Sequence, residues 1–196
     1  GLRIELVVEH WRHQLGRVTR RLGLPPHPME LRHAWRRVEP VDAAAHATHR
    51  PPGEMPRRLG GEVAGVLARF PGARTAKVKV AEKGQALRDD VERVEAARAL
   101  VEKVRVDANG GWSVDEAVTA IAALGQLEYV EQPCASVEEL AAVRRRVSTP
   151  IAADESIRKA EDPLRVAAAD AADIAVVKVA PLGGMRRVLE LAEQIR

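Results

Sequence analysis

The sequence predicts an α/β fold made of parallel strand–helix units, arranged as part of a closed (β/α) barrel. Five short runs rich in Val, Ile and Ala alternate with amphipathic stretches from about residue 61 onward. Each run has the length of a strand and each stretch between them the periodicity of a helix, with short turns linking the two, as parallel βα units require. Ionisable residues close the runs at intervals of one unit, since Asp107, Glu131, Asp154 and Lys178 lie 24, 23 and 24 residues apart.

The elements follow in order. The runs are 75–80, 104–107, 127–131, 151–154 and 174–179, and the helical stretches between them are 87–101, 113–124, 136–147 and 162–169. Ser113 and Ser136 each stand three residues before a glutamate, Glu116 and Glu139, which is the capping-box signature of a helix start. Gly183-Gly184 reads as a turn into a further helix, because it lacks the Gly-x-x-x-x-Gly-Lys frame of a phosphate loop.

Residues 1–60 are different. They hold eleven Arg, no Lys and six acidic residues, together with all six His (His10, His13, His27, His33, His46, His49). The first lysine of the chain is Lys77. Residues 5–24 have apolar positions at helical spacing, a second short helix is expected over 29–38, and the Pro-, Ala- and His-rich stretch 39–56 reads as a loop. An Arg/Pro/His-rich segment over 1–60 and a partial barrel over 61–196 are the expected divisions. The histidines lack the Cys or second His pair that a zinc site needs. The arginines read as a solvated face rather than a nucleic-acid contact, since no recognition motif accompanies them.

Composition narrows the class. A chain of 196 residues with 46% apolar residues and a net charge of +3 suits a globular protein and excludes a disordered one. No 18-residue apolar run offers a membrane span, the N-terminus has no secretory pattern, and one cysteine, Cys134, cannot form a disulfide framework. A cytoplasmic protein is expected.

The strand ends carry the chemistry. In a barrel, equivalent ends of consecutive units line one rim, and that C-terminal rim is where barrel enzymes react. Three acids in register, flanked by Lys79 and Lys178, are too ordered for turn residues, and as charges at strand ends they need partners or a metal. Carboxylates without Cys or His make a hard oxygen site suited to Mg²⁺, with Mn²⁺ the other choice. A divalent ion and a second ammonium nearby lower a lysine pKa from its usual value of about 10.4. Metal and lysine together can remove a proton next to a carboxylate, the ion favouring the enediolate.

The motifs Lys77-Val-Lys79, Asp107-Ala-Asn-Gly-Gly-Trp112, Glu131-Gln-Pro-Cys134, Ala153-Asp-Glu-Ser156 and Lys178-Val-Ala-Pro-Leu-Gly-Gly184 resemble the muconate-lactonizing branch of the enolase superfamily. Within it they look most like the o-succinylbenzoate synthase family. The resemblance covers residues 61–196 and implies a partial TIM-type (β/α) barrel. It implies that Asp107, Glu131 and Asp154 bind Mg²⁺ and that Lys79 is the acid/base. Lys178 would be a cation on the opposite face of a small-molecule carboxylate substrate. Lys77 would sit beside Lys79 and help depress its pKa, and Asn109 would lie behind the metal site or on the substrate side. The reaction implied is loss of water from a cyclohexadiene carboxylate in menaquinone biosynthesis; N-succinylamino-acid racemisation or cycloisomerisation is the alternative the same residues allow.

The blander readings stand beside these. Lys77 could be exposed, Asn109-Gly110 could be a plain turn, and Trp112 reads as packing. Cys134, following a proline in a half of the chain without His, reads as packing rather than as a nucleophile. The superfamily's N-terminal capping domain has no recognisable counterpart in 1–60, no barrel strand is recognisable before Val63, and a seventh and eighth strand are not found before Arg196. A non-catalytic fragment is therefore the alternative from another class.

Overall fold

The computed structural model describes residues 2–6 and 59–194. The readings made for residues 7–58, including the six histidines and the second N-terminal helix, lie outside the described residues. Six strands form one sheet: β1 Arg3–Leu6, β2 Thr75–Lys79, β3 Lys103–Asp107, β4 Tyr129–Glu131, β5 Ile151–Ala153 and β6 Ile174–Val177. Their spatial order is β1-β6-β5-β4-β3-β2, and every pairing is parallel. The helices are α1 Leu59–Leu67, α2 Leu87–Arg98, α3 Val114–Leu124, α4 Val137–Arg144, α5 Asp162–Ala168 and α6 Met185–Gln194. From β2 to α6 the chain alternates strand and helix without a break, as the sequence predicts.

Two elements differ from the sequence reading. Glu5 and Leu6 belong to a strand, not to the start of a helix, because Arg3-Ile-Glu-Leu6 pairs in register with Ile174–Val177. Four residues of alternating charged and apolar character fit either period, and only the waiting edge of β6 decides between them. The first sixty residues are therefore not free of strand pairing. Helix α1 also goes unpredicted. Its Gly60, Gly61 and Gly65 depress helix propensity, yet Val63 and Leu67, four residues apart, are buried and the helix packs on α2.

The sheet has two unlike faces. Ala76, Val78, Val104, Val106, Val130, Ile151, Ala153, Ala175 and Val177 join the main core with the buried sides of the helices. The other face presents Lys77 and Lys79 from β2, Arg105 and Asp107 from β3, and Tyr129 and Glu131 from β4, following the two-residue alternation. Its N-terminal half is filled by packing: Tyr129 contacts Ala152, Ile174 and Val176, and the Arg105 guanidinium lies 4.8 Å from the Tyr129 ring centroid and 2.5 Å from Glu128. The C-terminal half holds the acids and lysines.

Both predicted capping boxes form. Ser113 Oγ accepts from the Glu116 amide at 3.4 Å while Glu116 accepts from the Ser113 amide at 2.8 Å, and Ser136 and Glu139 repeat the exchange at 3.2 and 2.9 Å. Each cap stabilises its helix by about 1 kcal/mol. Their wider consequence is placement, since α3 and α4 start directly behind the loops that follow the acidic strand ends. Cys134 is fully buried and burial pushes its thiol up to about 11, so it packs, as expected. Trp112 lies partly buried against the core, and Gly183 and Gly184, at φ 86° and 105°, turn the chain into α6.

Candidate active site

The predicted residues meet at the C-terminal ends of neighbouring strands. Lys79 pairs in register with Asp107, and Asp107 with Glu131, while Asp154 and Lys178 directly follow the last residues of β5 and β6. Lys77 Nζ donates to both oxygens of Glu131 at 3.0 and 3.1 Å and lies 3.7 Å from Asp107. Lys178 Nζ donates to Asp154 Oδ2 at 2.9 Å. Lys79 Nζ donates to Asn109 Oδ1 and lies 3.9 Å from Asp107 Oδ2. Asn109, at φ 48°, lies in the turn after β3, and its side chain joins this network through Lys79.

The two lysines of β2 differ. The Lys77 side chain is 13% exposed and that of Lys79 39% exposed, so only Lys79 opens toward a ligand at the rim. Burial pulls the Lys77 pKa down, but Glu131 and Asp107 outweigh it and hold the ammonium above its usual value. A group held protonated cannot serve as a base. Glu131 is pushed up to about 7, first by burial and then by Asp107 and Asp154, although Lys77 opposes this. One shared ammonium does not compensate the clustered carboxylates.

Among the described residues no three acidic, His or Cys side chains converge into a ready-made ion cage. Each acid is turned to a cation instead: Glu131 to Lys77, Asp154 to Lys178, and Asp107 to both β2 lysines. Charges at the strand ends find compensation either in one another or in an ion. The donor chemistry nonetheless fits a hard divalent ion. All three donors are carboxylates, Asp154 Oδ1 is buried without a hydrogen-bond partner, and burial, followed by the Asp107 and Asp154 charges, keeps the Glu131 carboxyl raised.

This last point gives a testable pH dependence. In the presence of a chelator, Glu131 is protonated in the folded chain up to about pH 7 but ionised in the unfolded chain above about pH 4.3. Its contribution to stability is therefore complete below about pH 4.3 and is lost as pH rises through 7, by an amount on the order of 3 kcal/mol. Urea unfolding from pH 4.5 to 8 in a chelator is expected to show this fall, with Mg²⁺ reversing it at pH 8. A Glu131→Gln variant that keeps the same fall would assign it to other groups.

Sequence reasoning missed four participants. Glu155 Oε1 accepts from Asn109 Nδ2 at 2.9 Å, and Arg158 approaches Glu155 at 3.6 Å and Asp154 at 3.9 Å. The buried pair Asp90 and Arg93 on α2 ties the loop after Lys79, since Asp90 accepts from the Ala81 amide at 3.1 Å and Arg93 donates to the Lys79 carbonyl at 3.2 Å. Helix residues that serve a strand end from behind leave no mark in strand spacing. The loops also pack on one another. A Cβ at Gly111 would meet Ala108 O and Ala81 Cβ at 2.9 Å, so only glycine lets the β2 and β3 loops close up.

A parallel βα sheet with acids and lysines at the C-terminal ends of its strands has the arrangement of (β/α)-barrel enzymes. The chain belongs to the family described as enolase C-terminal domain-like, whose model matches residues 62–196. It is 75% identical over 133 residues to o-succinylbenzoate synthase of Mycolicibacterium smegmatis, covering 66% of this chain and 41% of that protein. It is 68% identical over 144 residues to the o-succinylbenzoate synthase of Mycobacterium tuberculosis, covering 72% and 44%. Among solved structures it is similar to a dipeptide epimerase from Enterococcus faecalis, with a TM-score of 0.63 and 31% identity over 72% of this chain and 43% of that one. The chain thus spans less than half the length of these relatives. Among the described residues no helix is long and apolar enough to cross a membrane.

Proposed function

We propose that the chain carries the metal-binding and proton-transferring part of an o-succinylbenzoate synthase-type dehydratase. The observation that carries this reading is the line of strand ends from Lys79 through Asp107, Glu131 and Asp154 to Lys178, with an amine at each edge of the acids. The high identity to two o-succinylbenzoate synthases supports the substrate class, a cyclohexadiene carboxylate.

Asp107, Glu131 and Asp154 would hold Mg²⁺, or Mn²⁺ in its place. When bound, the ion supplies positive charge that favours the enediolate form of the substrate carboxylate. Lys79, as the base, takes the proton from the carbon next to the carboxylate. It then returns that proton to the departing hydroxyl on the same face, water leaves, a carbon–carbon double bond forms and the base is restored. Asn109 holds the Lys79 amine in place through its Oδ1. Lys178 provides a cation across the substrate, and Lys77 supports the acids from below. The pathway would be menaquinone biosynthesis, in the cytoplasm.

Lys178 also favours a second reading. An amine on each edge can remove a proton from one face and return it to the other, which is racemisation or epimerisation, and the structural similarity to a dipeptide epimerase agrees with it. Purified chain should be assayed for Mg²⁺-dependent dehydration and, separately, for N-succinylamino-acid racemisation. Dehydration alone supports the synthase. Racemisation alone supports the second reading, and neither activity leaves a non-catalytic fragment.

A further inference from the structure

We propose that Gln132 is a positioning residue that fixes the three metal-binding strand ends relative to one another. This rests on the metal reading above. Gln132 follows Glu131 directly, is fully buried and adopts φ 39°, a left-handed conformation uncommon for a residue with a Cβ. That turn breaks the strand alternation at the point where the side chain leaves for the loop after β5.

Its side-chain amide uses its full hydrogen-bonding capacity. Oε1 accepts from the Asp154 amide at 3.0 Å and the Ser156 amide at 3.2 Å, and Nε2 donates to Cys134 O at 2.9 Å and Ser156 Oγ at 2.8 Å. Two backbone N–H groups on one side and a carbonyl on the other fix which end of the amide is oxygen. The Gln132 backbone adds two bonds, donating to Ala152 O at 2.8 Å and accepting from the Gly110 amide at 2.7 Å. One residue thereby joins the loop after Asp107, the end of β4 at Glu131, and the backbone nitrogen of Asp154. Gln132 is bonded covalently to Glu131 and through hydrogen bonds to the other two. A neutral amide does this without adding a fourth negative charge to the acids, which a glutamate would do.

Groups that orient metal ligands typically change metal affinity by 10- to 100-fold when removed. Gln132→Leu, close in volume and without polar atoms, is expected to weaken Mn²⁺ binding by about that factor, measured by the electron paramagnetic resonance of free Mn²⁺. Ser156→Ala removes a single hydrogen bond and is expected to weaken it about fivefold. The measurements are made on folded protein, well below each variant's melting temperature. A purely structural glutamine would lower melting temperature and leave the Mn²⁺ affinity of the folded chain unchanged, and that result overturns the proposal. If Gln132→Leu does not fold, Ser156→Ala decides on the same criterion. A wild-type chain that takes up no Mn²⁺ overturns the metal reading, and this inference with it, before any variant is compared.

Discussion

Replacing Lys79 with alanine is expected to reduce Mg²⁺-dependent dehydration by about 10²- to 10⁴-fold, the range a positioned acid/base contributes. Mn²⁺ binding should change little, because Lys79 is 39% exposed and approaches the acids only at 3.9 Å. The companion variant is Lys178→Arg. Arginine keeps the cation but cannot lose its proton at working pH. If Lys178 acts as a charge across the substrate, dehydration in Lys178→Arg falls far less than in Lys79→Ala. If it is a second acid/base, racemisation is abolished in both variants. Equal loss of dehydration in the two variants would contradict the division of roles between the amines, and an active Lys79→Ala would remove the acid/base assignment altogether.

The largest expected effect on stability lies behind the site. Asp90 and Arg93, three residues apart on α2, are 4% and 7% exposed and bonded to each other, and Arg93 also donates to Gln85. Removing one member of a buried pair leaves the other uncompensated, at about 3–5 kcal/mol. The two halves of the pair should not be equivalent. Burial raises the Asp90 pKa, so an abandoned Asp90 can take up a proton, whereas an abandoned Arg93 cannot release one. Urea unfolding is therefore expected to show Asp90→Ala near the top of that range and Arg93→Met below it. The double variant Asp90→Leu/Arg93→Met should be more stable than Asp90→Ala alone. The reverse order for the single variants would mean that the Arg93 bond to the Lys79 carbonyl, and not the burial of charge, dominates.

What was legible in the sequence was whatever repeats. The five runs from β2 to β6 and the helices α2 to α5 could be read because a βα unit imposes its periods on every unit. The rim residues Lys79, Asp107, Glu131, Asp154 and Lys178 could be read because each occupies the same point of its unit. Ser113 and Ser136 announced helix starts through local bonds to residues three positions on. The strand Arg3–Leu6 could not be read, since four residues carry too little pattern and its partner, Ile174–Val177, is more than 160 residues away. The helix at Leu59–Leu67 was hidden by its own glycines.

Residue types and their order along the chain thus determined that acids and amines would alternate with βα units and share a rim. Only the folded arrangement decided which charge faces which. Lys77 turns to Glu131 and Asp107, Lys178 to Asp154, and Lys79 outward to Asn109. Spacing along the polypeptide sets the strand on which a side chain begins, but its partner is chosen by burial and by the charges within a few ångströms of its tip. Those charges come from the ends of five strands, β2 to β6, and their balance exists only once the strands lie side by side.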